Sequence, residues 1–157
     1  MEGYGYITRS TSGCVHFVES ADVTPDYFAI AEEVRARGIQ VAYVDCNLFQ
    51  ERPWEISSAI GRIAGTEHPP YHEGTTVNWV RWLDDLISLA HSSRGLVIVL
   101  DNAHDLFTGH RKLATDMIEA FLVQVHHWFE LGRPCHLCFQ MSPSPLVAQL
   151  FSNEREA

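Results

Sequence analysis

Leu96-Val97-Ile98-Val99-Leu100 is an uninterrupted apolar run, and it limits the folds open to this chain more than any other segment does. A strand of alternating polarity can leave one face in water, but consecutive apolar residues must be covered on both faces. The run therefore predicts a central strand of a parallel sheet with helices on either side. Cys14 to Val18 reads as an earlier strand, after Gly13. Ile39 to Val44, rich in β-branched and aromatic residues, reads as a second, and Cys135 to Met141 as the last. Thr24 followed by Pro25 marks a helix start, and Gly38 its end. Pro53 to Ala64 carries Ile56, Ile60 and Ile63 at helical spacing and stops at Gly65. Thr75 or Thr76 is expected to cap a helix from Val77 to about His91. Lys112 to Leu131 repeats Met117, Phe121, Val125 and Trp128 on one face. Strands alternating with helices imply parallel pairing through right-handed crossovers, in the order βαβααβαβ. The expected fold is α/β, a small parallel sheet flanked by helices. No linker or repeat interrupts it, so 1–157 is expected to form one domain with a tail over 142–157.

Charge narrows the partners. Twenty acids against 11 bases leave a formal net charge of −9. Such a surface repels free nucleic acid, whose phosphates need a surplus of Lys and Arg, and attracts a basic protein. No apolar run reaches the roughly 18–20 residues that span a bilayer, and the first residues lack a basic and apolar leader pattern. A cytoplasmic chain with its four cysteines reduced is the expectation, with no membrane partner.

Four patterns suggest chemistry, and each falls short of a complete site. Cys135-His136-Leu137-Cys138 has CxxC spacing, but it lies in an expected strand, where alternate residues face opposite sides, and no second ligand pair accompanies it. A buried core pair is the expectation, and no metal. The nine histidines fit no metal spacing; His104 and His110 are six apart, which neither helix nor strand brings to one face. His72, Glu73 and Asp84 could serve as acid–base groups, but no nucleophile or metal set accompanies them. Leu96 to His104 resembles a Walker B strand, whose terminal aspartate, here Asp101, helps hold Mg²⁺. The matching phosphate loop would need two glycines and a lysine. The stretch with suitable spacing is Glu19-Ser20-Ala21-Asp22-Val23-Thr24-Pro25-Asp26, which has no glycine and has Pro25 in place of the lysine. No cofactor is expected. A degenerate P-loop ATPase-like core that assembles with other proteins without hydrolysis is one reading of the chain.

The segment Pro70 to Leu86 leads to another. Tyr71, Gly74, Asn78, Trp79, Asp84 and Leu86 follow a pattern of aromatic loop, glycine, Asn-aromatic pair and Asp-Leu-bearing helix. That pattern resembles the central motif of the barstar family of ribonuclease inhibitors. The resemblance covers about Gln40 to Phe139, with Gly13 to Gly38 as an added strand-helix. It implies a non-enzymatic immunity protein that blocks the cleft of a basic toxin, a cytotoxic ribonuclease or a relative. On that reading Asp84 occupies the toxin's phosphate site, with Tyr71, Glu73, Asn78 and Trp79 beside it. A carboxylate on a rigid helix can pair there with guanidinium groups, and aromatic neighbours exclude water around the pair.

Overall fold

The computed structural model describes residues 14–19 and 31–141. Its sheet is parallel throughout, in the order β1–β6–β5–β2, formed by Val15–Glu19 (β1), Cys135–Met141 (β6), Gly95–Asp101 (β5) and Ile39–Asp45 (β2). The apolar run lies in β5, an inner strand, and Leu96 to Leu100 are all buried. One face of the sheet carries Ala42, Val44, Leu96, Ile98, Leu137 and Phe139 into the larger core. The helices on that side are Ile56–Ala64 (α2), Trp79–Ala90 (α3), His104–Gly109 (α4) and Arg111–Glu130 (α5). They contribute Ile60, Trp82, Leu86, Met117, Phe121 and Trp128. The opposite face carries Val41, Val97, Val99 and Cys138, which pack with Ala31 and Val34 of a helix described over 31–36 (α1). The expected α/β architecture is therefore present, with helices on both faces of a small parallel sheet.

Local chemistry accounts for the element ends. Gly38 lies between α1 and β2 at φ 83°, a backbone region that costs a side chain energy and glycine nothing. Gly95 opens β5 where a Cβ would come within 2.9 Å of Pro134 Cγ and 3.0 Å of Ile39 Cγ1, so the strand entry admits no side chain.

Several expectations change. The strand at the start forms an edge of the same sheet, Val15 pairing with Leu137 and Glu19 with Met141. Neither Thr75 nor Thr76 caps α3. Thr76 is held in a short hairpin, His72–Glu73 (β3) against Thr76–Val77 (β4), turned at Gly74-Thr75. Asn78 caps the helix instead, its side-chain oxygen accepting the Arg81 N–H at 3.1 Å. The six-residue α4 was not expected, because one turn and a half is too short to show helical periodicity. His136 is fully buried, and its Nδ1 lies 3.0 Å from His16 Nε2. The CxxC cysteines are buried as expected, Cys135 in the larger core and Cys138 in the smaller one, so their thiols face opposite sides of β6. The Thr24-Pro25 helix start and the 142–157 tail fall outside the described residues. Among the described residues, no helix is long and apolar enough to cross a membrane.

Candidate functional site

Two places in this fold collect polar side chains. The first is the edge where the strands end. Parallel pairing brings the carboxyl ends of all four strands to one side, where ligands of open α/β sheets usually bind. Asp45 and Asp101 are register partners there. Asp101 Oδ2 accepts the Tyr43 hydroxyl proton, and its Oδ1 accepts the Asn102 N–H at 2.8 Å. Asn102 turns out of β5 at φ 54°, a conformation Asn tolerates better than most residues. Its amide donates to Asp45 Oδ1 at 2.9 Å, which also takes the Asn47 N–H at 3.0 Å. Asp105 on α4 accepts from Gln50 at 3.0 Å. Burial first, and then the charges of Asp45, Asp101 and Asp105, push the nearby Cys46 thiol up to about 12. That thiol stays protonated at neutral pH and is a poor nucleophile. Among the described residues, no three His, Cys, Asp or Glu side chains are grouped to hold a metal ion.

The second place is an open cleft of about 770 Å³ between the β3–β4 hairpin and the first turn of α3. Pro70, Val77, Trp79 and Val80 give it apolar walls, and His72, Glu73, Asn78 and Arg81 bring polar groups. Val80 is 66 % exposed, and Trp79 stands edge-on to the buried Trp82 with ring centroids 5.4 Å apart. A rigid aromatic thus lies beside an exposed aliphatic at the mouth of the cleft.

Beside the cleft lies a hydrogen-bond network centred on Asp85, the neighbour of the aspartate that the sequence pattern singles out. Asp84 is exposed and does not line the cleft, whereas Asp85 turns into the body of the protein. Asp85 accepts the Tyr71 hydroxyl at 2.5 Å, the His68 N–H at 3.1 Å and His68 Nδ1 at 3.0 Å. Burial alone would raise its carboxyl pKa, but the hydrogen bonds from Tyr71 and His68 outweigh burial and hold it below the ordinary value. Burial and the bond to that carboxylate push the Tyr71 phenol up. Tyr71 is only 1 % exposed, so its side chain offers almost no area to a partner. Of the five residues expected in contact, Glu73, Asn78 and Trp79 reach the cleft surface, Tyr71 forms its buried floor, and Asp84 stands apart. The signal for Asp85 was in the sequence. Trp82, Asp85, Leu86 and Leu89 follow the i, i+3, i+4, i+7 spacing of a buried helix stripe.

No family model and no curated protein matches the chain. Its fold is similar to that of the ORC2 protein of Aeropyrum pernix, solved in ADPNP-ADP complexes, with a TM-score of 0.58 and 19 % identity. The likeness covers 91 % of this chain and 38 % of that protein, so this chain spans well under half of it. At that identity the likeness is one of fold. It corrects the barstar resemblance: the fold is similar to that of the ORC2 protein, and the pattern at Tyr71 to Leu86 builds a buried floor and a helix start. The motif misled because Tyr71 and Leu86 serve the protein's own core, while Asn78 caps α3.

Proposed function

We propose that this chain is an ATPase-type α/β core that acts by binding another protein and does not turn over nucleotide. The observation that carries the reading is the state of Asp101. An aspartate at that strand end would have to face a hydrated Mg²⁺ for phosphate chemistry. Here one of its oxygens is taken by Tyr43 and the other by the Asn102 N–H. The sequence over 19–26 adds support, since it has neither the glycines nor the lysine that cradle phosphates. The contact surface in this reading is the cleft at the start of α3, with Glu73, Asn78, Trp79 and Val80 toward the partner. A net charge of −9 favours a partner with a basic surplus. Calorimetric titration with ADP or ADPNP in the presence of Mg²⁺ tests the nucleotide half. The expected result is no saturable heat up to about 1 mM ligand. Saturable binding in the micromolar range, lost in Asp101→Asn, would overturn it.

A further inference from the structure

Tyr71 is tied to the fold from every side. Its N–H donates to Ser58 Oγ of α2 at 2.8 Å, and its carbonyl accepts the Asn78 N–H at 2.7 Å. Its hydroxyl has one proton, which goes to the ionised Asp85 Oδ2, so the Thr66 hydroxyl at 2.5 Å donates to it in turn. The ring lies against Gly61, where a Cβ would come within 2.5 Å of Tyr71 Cε2. His68, nearer the start of the same loop, reaches Asp85 through both its backbone N–H and its ring. One carboxylate on α3 thus gathers donors from both 68 and 71. The backbone of 71 then fixes Asn78, the residue that caps α3 and lines the cleft.

We infer that Asp85 is a positioning residue for the cleft. It acts through Tyr71 and His68 and sets the hairpin and the first turn of α3 as one rigid unit. Rigidity of this kind lowers the ordering cost of any contact made there. The whole body does not depend on it, because α3 also packs through Trp82, Leu86 and Leu89. When the carboxylate stops accepting, 66–78 is freed as a unit while the sheet stays closed. Local opening of that kind is separable from global unfolding by hydrogen exchange.

Asp85→Asn, which keeps shape and loses charge, is the first variant, and Tyr71→Phe, which removes only the hydroxyl, is the second. His68→Ala changes a side chain that is more than half exposed, and it leaves the hydrophobic core untouched. In Asp85→Asn the amides of His68 and Asn78 are expected to exchange about tenfold faster or more, with those of β5 and β6 unchanged. Tyr71→Phe should accelerate Asn78, and His68→Ala should accelerate 66–71 more weakly. The indole N–H resonance of Trp79 should shift or broaden in Asp85→Asn, while that of Trp128, bonded to Gln124 Oε1 at 2.9 Å, should not. Unchanged exchange at His68 and Asn78 in all three variants would overturn the inference. So would equal acceleration in β5 and β6, which marks a purely structural role. These readouts need no partner, so their failure leaves the protein-binding reading standing.

Discussion

The strand-end edge and the α3 cleft are both polar, yet they spend their polar groups in opposite ways. At the strand ends, Asp45 Oδ1 and both oxygens of Asp101 accept from Tyr43, Asn47 and Asn102, which ties the carboxylates to their own surroundings. At the cleft, the buried carboxylate is Asp85, set behind the surface, and Glu73, Asn78 and Arg81 remain at the front. A similar number of hydrogen bonds closes one site and organises the other. The difference lies in what the bonded groups adjoin: the edge donors tie the strand-end carboxylates to neighbouring backbone and side chains, whereas Tyr71, a donor to Asp85, also lines the cleft. A polar cluster therefore points to function only after its donors have been traced.

The largest expected break in this comparison is Tyr71→Ala. Losing a buried ring together with its bonds to Asp85 and Thr66 should cost about 3–5 kcal/mol in denaturant unfolding. A loss well under that range would mean the cleft floor is not held as described. Tyr43→Phe should do far less. It removes one hydroxyl bond to a partly solvated carboxylate, at a cost of about 1 kcal/mol, and it should not create nucleotide binding. Appearance of Mg²⁺-dependent nucleotide binding in that variant would identify the strand end as a masked active site. The smallest effect is on pH dependence. Because the folded state holds the Asp85 carboxyl pKa below its unfolded value, its contribution to stability is present in full above the unfolded value. That contribution is lost as pH falls through the folded value, below the usual carboxylate range. Acid unfolding of Asp85→Asn should accordingly be shallower than that of the parent over that window; coincident profiles would show that the carboxylate does not contribute.

Much of the scaffold could be read before any coordinates, and the reasons are local. Leu96 to Leu100 admits one kind of strand, and Gly38, Gly65 and Gly132 stop helices at positions with φ of 83°, 85° and 67°. Cys135 to Met141 was bounded correctly, because Pro134 and the prolines at 143 and 145 flank it. The site was less legible. The β3–β4 hairpin spans only two residues per strand, too few for alternation to show, so Thr76 looked like a cap. Asp84 and Asp85 are neighbours in sequence, and a turn of about 100° separates a solvated side chain from a buried one. The spacing from Trp82 would have distinguished them; similarity to a motif did not. The bonds from 43 to 101 and from 45 to 102 join strands far apart in sequence, and no local pattern encodes them.

The contrast between the two places can be tested on equal terms, because each presents one prominent exposed aliphatic: Val80 at the cleft, 66 % exposed, and Leu48 after β2 at the strand-end edge, 74 % exposed. A photo-crosslinking residue placed at one or the other in the host cell reports which surface a partner covers. The account predicts a discrete protein adduct from position 80 that weakens in Trp79→Ala, and none from position 48. An adduct from position 48 with none from position 80 would contradict it.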